Sequence, residues 1–224
     1  MTKPRLLDLY CGQGGASMGY HHAGYEVTGV DHRPQQPRYP FRFIQADALE
    51  YLVAYGHKYD CIHASPPCQL FSSATFARPD LKRDHKDLLT PTLKILYGLQ
   101  VPYVVENVMG APLSPFGAVL CGLMFGLKVL RHRRFETSHL VLTPHHPSHR
   151  GVKIGRDGFV CVAGHGDGSY RHRKTTPPDH RNKASWERAM QIDWMSRNGL
   201  AQAIPPAYTR FLGLELYRQL FRED

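Results

Sequence analysis

Short apolar segments alternate with helix-like segments along the first half of the chain, and this alternation predicts an open α/β sheet of parallel strands. The predicted strands are residues 5–10, 26–31, 41–45, 59–64 and 102–108. Helices are predicted between them at residues 15–23, 48–55 and around 89–99, where leucines recur at intervals of three and four. Ligands of such folds bind at the carboxyl edge of the sheet, so candidate site residues are sought there.

The hydrophobic pattern is less regular beyond residue 108. Residues 117–127 are apolar and glycine-rich and are predicted to pack in the core, while residues 131–136 are predicted to be extended, with alternating arginines on one side. Residues 137–185 are rich in His, Gly, Pro and basic residues, which indicates a loop-rich insert in which only 158–163 suggests a strand. Helices are predicted at 186–191 and 207–221, the second with an apolar face made by Tyr208, Phe211, Leu212, Leu216 and Leu220.

Residues that suit a ligand follow three successive predicted strands. Cys11-Gly12-Gln13-Gly14-Gly15 follows the first strand, and its glycines would let a ligand approach the backbone amides at a helix start. Asp31 ends the second strand and Asp47 follows the third, where an acid can hold ribose hydroxyls. Each aspartate could instead cap a helix, and many α/β turns need glycine. Three such signals together favour a cofactor site.

A cysteine on a rigid loop follows the fourth predicted strand, in Ser65-Pro66-Pro67-Cys68-Gln69. Because proline fixes its own backbone and restricts the preceding residue, the pair makes a stiff loop that could aim the thiol outward. Glu106 lies at the end of the fifth strand, and the polar residues 72–87 are predicted to form a mobile loop that could close over a substrate. Taken singly, the loop could be a rigid turn with an incidental thiol and Glu106 a solvated edge residue.

Composition narrows the class of protein. The 224 residues allow one large domain, or one domain with a small appendage, and a net charge of +9 favours a polyanionic partner, with nucleic acid the leading candidate. Basic residues cluster between Arg131 and Lys183, which favours a binding face over general solubility. No apolar run is long enough to span a membrane, and residues 1–5 lead directly into a strand, so we expect a cytoplasmic protein without a membrane partner.

Cysteine and histidine spacing predicts neither disulfides nor a metal site. The five cysteines are odd in number and include no Cys-x-x-Cys pair, so we expect reduced thiols. The spacing of the histidines in the insert and of Cys161 matches no standard zinc ligand pattern, and no metal is predicted. These histidines are His139, His145, His146, His149, His165, His172 and His180.

Taken together, the segments resemble the DNA (cytosine-5) methyltransferase family, in the family's own order. Residues 7–15 resemble its S-adenosylmethionine loop, Ser65-Pro66-Pro67-Cys68-Gln69 its nucleophile loop, and Glu106-Asn107-Val108 its catalytic Glu-Asn-Val. Arg131-His132-Arg133 is similar to the family's Gln-x-Arg-x-Arg motif, and residues 201–206 to its C-terminal Gly-Asn-x-Val-Pro-Pro. The resemblance covers residues 5–136 and about 195–221.

The resemblance implies a Rossmann-like class I S-adenosylmethionine-dependent methyltransferase fold, in the α/β class, with a small loop-rich target-recognition insert. It divides the chain into a catalytic and cofactor-binding core at 1–136, a basic recognition region at 137–185, and a C-terminal segment at 186–224 that completes the core. It also implies that the last helix packs beside the first strand.

The implied activity is that of a DNA (cytosine-5-)-methyltransferase. Cys68 would add to C6 of a cytosine extruded from the duplex, which activates C5 for methylation. Glu106 would engage N3 and the exocyclic amine, Arg133 would reach O2, and Arg131 would support the pocket. The nearby arginines are also expected to lower the pKa of the Cys68 thiol.

The resemblance assigns S-adenosylmethionine as the cofactor, with Asp31 on its ribose, Asp47 near its adenine, and Gln202 and Ala203 closing the site. The implied cofactor residues are Tyr10, Cys11, Gly12, Gln13, Gly14, Gly15, Asp31, His32, Asp47, Ala48, Pro66, Gln202 and Ala203. Pro67, Gln69, Ser72 and Asn107 are the implied contacts to the substrate base.

Several departures from the family pattern leave Cys68 and Glu106 in place and bear instead on which DNA sequence would be recognised. Val129 replaces a glutamine before the arginine pair, Ala201-Gln202 replaces Gly-Asn, and the recognition region is short, which indicates a compact phage or mobile-element enzyme. The implied partner is DNA, with a cognate restriction endonuclease in the same host that forms no physical complex, and a monomer is the default. The alternatives are an RNA (tRNA) cytosine-5 methyltransferase, although the Cys-Phe-Thr segment of such relatives is absent, and a catalytically idle DNA-binding relative.

Overall fold

A computed structural model describes residues 2–71, 85–162 and 182–220, and in these ranges seven strands form one sheet. The strands are β1 (Arg5–Leu9), β2 (Glu26–Asp31), β3 (Arg42–Gln45), β4 (Cys61–Ala64), β5 (Tyr103–Asn107), β6 (Ala118–Leu120) and β7 (Arg133–Thr137). Their order is β3-β2-β1-β4-β5-β7-β6; β7 is antiparallel to both β5 and β6, and the remaining pairs are parallel. The strand order reverses between β1 and β4, and a crevice opens at such a point.

Helices cover both faces of the sheet. They are α1 (Gly15–His22), α2 (Ala48–Tyr55), α3 (Leu89–Leu99), α4 (Lys183–Met190), α5 (Arg197–Gln202) and α6 (Pro206–Leu220), with 3-10 turns at Gly56–Lys58, Gln69–Phe71 and Gly122–Phe125. Because side chains alternate along a strand, Leu6 packs in the cluster with Tyr20 of α1, while Leu7 packs in the cluster with Leu52 of α2 and Leu96 of α3. Burial of both faces explains why the strands read as apolar runs.

The C-terminal helix α6 completes the core by packing on α1. The Thr209 hydroxyl donates to the Ala16 carbonyl oxygen at 2.8 Å, and the Tyr25 hydroxyl donates to the Gly213 carbonyl oxygen at 3.0 Å. Gly19 has no room for a side chain, because a Cβ there would lie 2.2 Å from the Pro206 carbonyl oxygen. The last helix was expected beside the first strand; its principal neighbour is α1, and Leu216 joins Leu6 of β1 in one apolar cluster.

Two predictions in the second half of the chain need correction. The apolar residues 117–127 do pack in the core, but they also include the short strand β6, whose three residues are too few for a recognisable alternation. The strand expected at 158–163 is replaced, up to residue 162, by a single bridge between Val129 and Val160. Asp157 and Gly158 both have positive φ, which breaks an extended conformation at its start.

No helix in ranges 2–71, 85–162 and 182–220 is both long and apolar enough to cross a membrane.

A buried carboxyl group lies in the middle of β1. Asp8 is fully buried, and its Oδ2 accepts a hydrogen bond from the Ser17 hydroxyl, which is also 2.8 Å from the Tyr39 hydroxyl. Asp8 Oδ1 is buried without a hydrogen-bond partner. Burial, and more weakly the charge of Asp31, raise the pKa of Asp8 to about 7, although the Ser17 hydrogen bond opposes this.

Asp8→Asn is therefore expected to change how stability depends on pH. The folded pKa of Asp8 exceeds the free value of about 3.9, so its favourable contribution is complete below about pH 4 and is lost as the pH rises through about 7. Wild type should lose about 4 kcal/mol more free energy of unfolding between pH 4 and pH 8 than Asp8→Asn. Urea unfolding across this range measures the difference. The exposed Asp60, changed to Asn, is the control, and identical pH dependence in wild type and Asp8→Asn would contradict the account.

Candidate active site

The carboxyl ends of β1 and β4 lie side by side at the reversal of strand order. Leu9 is in register with Ala64, and the Ser65 amide donates to the Leu9 carbonyl oxygen at 3.2 Å. The glycine loop after β1 and the Pro-Pro-Cys loop after β4 therefore start from neighbouring points. A cofactor on the first loop and a substrate on the second would meet in this crevice.

The glycine loop adopts a conformation that turns backbone amides toward the end of β2. Gly12 and Gly14 have φ of 50° and 87°, values that favour glycine. The Gly12 amide donates to Asp31 Oδ2 at 3.0 Å, and the Arg33 amide donates to Asp31 Oδ1 at 3.0 Å. A Cβ on Gly12 would meet no atom within 4 Å, so this loop borders open space. A buried acid beside a glycine loop fits a ribose-bearing cofactor.

Asp47 caps a helix, which was the alternative left open for it. Its Oδ1 accepts hydrogen bonds from the Leu49 amide at 2.8 Å and the Glu50 amide at 3.0 Å, and these begin α2. Asp47 is nevertheless close to Asp31 in the fold, because Asp31 is in register with Gln45 at the end of β3. The adenine contact proposed for Asp47 would use its exposed second oxygen.

The C-terminal segment packs directly on the glycine loop. Gln13 Oε1 accepts a hydrogen bond from the Ser196 amide at 2.8 Å, and the Gln13 carbonyl oxygen accepts one from Trp194 Nε1 at 2.8 Å. A Cβ on Gly15 would lie 3.2 Å from the Ala203 Cβ. Gln13 therefore ties the two segments together, and Trp194 and Ser196 are site residues that sequence reasoning missed.

The other implied cofactor residues vary in exposure. Tyr10 has a left-handed backbone and its hydroxyl is 2.9 Å from the Thr92 hydroxyl, so it joins the loop to α3. His32 is exposed, with Nδ1 3.3 Å from Asp31 Oδ1, and Gln202 is exposed at the end of α5. Cys11, Ala48, Pro66 and Ala203 are buried. The exposed residues border the crevice, whereas the buried ones can only shape it.

Asn107 anchors the Pro-Pro-Cys loop from below. It is fully buried at the end of β5, its Nδ2 donates to the Pro66 carbonyl oxygen at 2.9 Å, and its Oδ1 accepts from the Val108 amide at 2.9 Å. Both side-chain polar atoms are therefore occupied within the protein. The sequence implied a contact between Asn107 and the substrate base; the geometry indicates that it positions the loop instead.

The loop holds Cys68 half-buried at its end. The Cys68 carbonyl oxygen accepts a hydrogen bond from the Phe71 amide at 3.0 Å, which closes the short 3-10 turn Gln69–Phe71. Pro67 and Gln69 flank the cysteine and are also half-buried. Ser72, an implied substrate contact, and residues 72–84 of the loop expected to close over a substrate lie outside the described residues.

Glu106 and Arg133 form a buried ion pair beside Cys68. Arg133 Nε is 2.8 Å from Glu106 Oε1, with side-chain exposures of 16% and 8%. The pair bridges β5 and β7, which are antiparallel neighbours. Burial raises the pKa of Glu106, although Arg133, Arg131 and a Ser65 hydrogen bond all oppose this. A carboxyl group with a raised pKa is suited to share a proton with a ring nitrogen.

Arg131 joins three parts of the chain. Its guanidinium donates to the Val162 carbonyl oxygen at 2.6 Å and to the Ala201 carbonyl oxygen at 2.7 Å. Tyr208 of α6 donates to the Arg131 carbonyl oxygen at 2.7 Å. Burial, with the charge of Arg133, lowers the pKa of Arg131. Arg131 thus supports the site from the side of the insert, in keeping with the supporting role implied for it.

The pKa of the Cys68 thiol is raised overall, although the arginines lower it as expected. Burial raises the pKa of the thiol, Glu106 raises it further, and the opposing charges of Arg133 and Arg131 are not sufficient to reverse this. The arginines do act on the thiol as expected, but Glu106 already neutralises part of their charge. The raised pKa favours the thiol form of Cys68 over the thiolate.

A hydrogen-bonded chain behind Glu106 was not foreseen. His63 is fully buried, its Nε2 is 2.8 Å from the Ser65 hydroxyl oxygen, and its Nδ1 is 3.1 Å from the Tyr20 hydroxyl oxygen. Burial lowers the pKa of His63 to about 3, so the imidazole is neutral. A neutral imidazole has one donor and one acceptor nitrogen. When the Tyr20 hydroxyl donates to His63 Nδ1, His63 Nε2 carries the proton and donates to Ser65. The Ser65 hydroxyl is then able to donate to Glu106. A histidine in an apolar strand, two residues before Ser65, was the available signal.

Ser65→Ala is expected to raise the pKa of Glu106, because the Ser65 hydrogen bond favours the ionised carboxylate. Under the catalytic role that the resemblance implies for Glu106, the inflection in the pH profile of kcat should move to higher pH, with kcat lowered by roughly tenfold. Steady-state turnover of the methyl transfer implied by the same resemblance, measured at a series of pH values, tests this. Ser148→Ala, at an exposed serine, is the control. An unchanged profile would remove Ser65 from the site.

The chain is similar to known methyltransferases. No family model matches the chain. The chain is 33% identical over 132 residues to the type II methyltransferase M.HgiDI of Herpetosiphon aurantiacus, across 54% of this chain and 42% of that protein, so it spans less than half of this relative. It is 33% identical over 123 residues to M.HgiGI, a type II methyltransferase of the same organism, across 49% of this chain and 94% of that protein.

Solved structures share the fold at low identity. A prophage-encoded E. coli protein assigned as a DNA modification methyltransferase superposes with a TM-score of 0.61 at 16% identity, over 99% of this chain and 100% of that one. The S. pombe Dnmt2 methyltransferase superposes with a TM-score of 0.60 at 14% identity, over 99% and 100% of the two chains. The predicted Rossmann-like α/β fold is confirmed.

Proposed function

The chain belongs to the DNA (cytosine-5) methyltransferase family, and from this we propose that it transfers a methyl group from S-adenosylmethionine to C5 of a cytosine in duplex DNA. Membership confirms the predicted cofactor. The observation that carries the proposal is the convergence of Cys68 with the Glu106–Arg133 pair, next to the glycine loop. One sulfur nucleophile, one acid and one cation are what methylation at C5 requires.

Cys68 acts on the base as a nucleophile in this proposal. Its sulfur bonds to C6 of the ring, and the displaced electron pair makes C5 enamine-like. The cofactor would supply an electrophilic methyl group to C5; its S–CH3 bond would break as the C5–CH3 bond forms, and it would leave as S-adenosylhomocysteine. Loss of the C5 proton then restores the ring double bond and expels Cys68 as a thiolate. The thiol must first lose its own proton, because its pKa in the free protein is raised.

Glu106 and Arg133 stabilise the charge that this addition creates. Glu106 engages N3 and the exocyclic amine, where the raised pKa of its carboxyl group favours sharing a proton with the ring. Arg133 already holds Glu106 Oε1 at 2.8 Å, and its guanidinium would reach the base O2 from there. A base in this pocket must have left the duplex stack.

Residues 137–185 are proposed as the target-recognition region, between the core at 1–136 and the C-terminal segment at 186–224. In the described part of this region Arg150, Lys153 and Arg156 are exposed, as phosphate-binding side chains must be. Arg131 fastens Val162 of this region to the catalytic edge. We propose a monomer acting on DNA, with a cognate restriction endonuclease as a genetic partner only.

Methylation with radiolabelled S-adenosylmethionine tests the proposal. Duplex DNA, single-stranded DNA and tRNA are offered separately, and label is expected on duplex DNA. Label on tRNA alone would replace DNA with RNA as the substrate, whereas DNA binding without label on any substrate would indicate a catalytically idle relative. Bisulfite sequencing of DNA from an expressing host then reports which cytosine is modified.

A further inference from the structure

One thiol and three imidazoles meet at the junction of the sheet and the insert. They belong to Cys121, His132, His146 and His149, and the four potential ligand atoms all lie within 4.8 Å of one another. Cys121 follows β6, His132 precedes β7, and the other two histidines lie in the loop that follows β7. None of these four side chains has a role in the proposed methyl transfer.

Two of the separations within the cluster match those of a metal site. Cys121 Sγ is 3.4 Å from His149 Nε2, and His132 Nε2 is 3.2 Å from His146 Nε2. Tetrahedral zinc bonds sulfur at about 2.3 Å and nitrogen at about 2.0–2.1 Å, which places neighbouring ligand atoms about 3.3–3.6 Å apart. The four side chains thus need little movement to enclose an ion.

The chemistry of the cluster selects the ion. One thiolate and three neutral imidazoles are soft and borderline ligands, which suit zinc and do not suit magnesium or calcium. The Cys121 thiol donates a hydrogen bond to the Leu130 carbonyl oxygen at 3.1 Å, and it would have to give up this contact to bind a metal.

We propose that Cys121, His132, His146 and His149 bind a structural zinc ion. Four protein ligands fill a tetrahedral site and leave no position for a reacting water, so the ion would stabilise the fold and not catalyse a reaction. Because His132 lies between Arg131 and Arg133, the ion would fasten the start of the insert beside the two arginines of the active site. Cys121 is buried and His146 is exposed, so the ion can enter from solvent.

Metal content of the purified full chain, without a histidine tag, tests the proposal directly. Inductively coupled plasma mass spectrometry is expected to find about one zinc per chain in wild type, and at least a fivefold loss in His146→Ala and in Cys121→Ser. His145→Ala removes a neighbouring exposed histidine outside the cluster and should retain zinc as the matched control. His146 is exposed, so its replacement should leave the fold intact, as circular dichroism can verify.

Cobalt substitution adds a reading that depends on the sulfur ligand. The cobalt-loaded wild type should show thiolate-to-metal charge transfer, and Cys121→Ser should lose it while His145→Ala retains it. A zinc-free wild type would overturn the proposal, as would unchanged zinc content in the Cys121→Ser/His146→Ala double variant, since the ion would then lie elsewhere. Neither measurement needs methyl transfer, so the zinc proposal can be tested independently of the proposed activity.

Discussion

Cys68→Ala is expected to abolish methyl transfer and leave the fold and DNA binding unchanged. Loss of a covalent nucleophile removes the whole reaction path, so kcat should fall by at least about 10⁴-fold. Cys68 is only half-buried and lies on a loop between β4 and the 3-10 turn, so the free energy of unfolding should change by less than about 1 kcal/mol. Transfer of labelled methyl groups and urea unfolding measure the two quantities.

A duplex containing 5-fluorocytosine identifies the nucleophile itself. Fluorine at C5 cannot leave as a proton does, so wild type should remain bonded to the base and migrate as a covalent complex under denaturing conditions. Cys68→Ala should form no such complex. Cys161→Ser, which removes an exposed thiol from the insert, is the matched control and should be trapped like wild type. A covalent complex with Cys68→Ala would assign the nucleophile to another residue.

The parts of the site that follow strands directly could be predicted from sequence. Four features lie at or just after the end of an apolar strand: the glycine loop, Asp31, Cys68 and Glu106. Parallel strands bring their carboxyl ends to the same edge of the sheet. The local pattern therefore determines where these residues lie. The pattern does not determine what each side chain contacts. Asp47 lies just after β3 and Asn107 ends β5, positions much like those of Asp31 and Glu106. Yet Asp47 caps a helix, and Asn107 anchors the Pro-Pro-Cys loop.

Contacts between distant segments could not be predicted, because the sequence around one residue contains no signal that identifies its distant partner. Gln13 and Ser196 are hydrogen-bonded across 183 residues. The pKa of Cys68 depends on how deeply the loop is buried and on the neutralisation of Arg133 by Glu106, and both are properties of packing. Likewise, the ligand atoms of Cys121 and His149 meet across 28 residues, a spacing outside every short zinc pattern.

In the insert, composition predicted the exposure of basic residues but not the contacts that attach the insert to the core. Its composition predicted basic loops, and in the described part Arg150, Lys153 and Arg156 are indeed exposed. Its attachment to the core depends on single side chains: Arg131 holds Val162, and the proposed zinc ligands hold the segment after β7. Residues 163–181, which carry Arg171, Arg173, Lys174, Arg181 and three of the region's histidines, lie outside the described part.

Glu106→Gln is expected to lower kcat by about 10²- to 10³-fold, which is the usual effect of removing one group that stabilises developing charge. Glutamine keeps the shape of the side chain, and its amide can donate a hydrogen bond to N3, but it cannot transfer a proton to N3 as a carboxylic acid can. The variant also leaves Arg133 without its carboxylate partner, so a loss of stability is expected as well. A catalytic interpretation therefore needs a control that loses a buried carboxylate elsewhere.

Glu136→Gln provides that control. Glu136 is as buried as Glu106, and its oxygens accept hydrogen bonds from the Tyr97 hydroxyl at 2.6 Å and the Ser114 amide at 2.7 Å, away from Cys68. It should lose stability and keep most of its kcat. Because N3 must be engaged before sulfur adds to C6, Glu106→Gln should also slow covalent trapping by the 5-fluorocytosine duplex. Trapping at the wild-type rate would confine Glu106 to a structural role in its ion pair with Arg133.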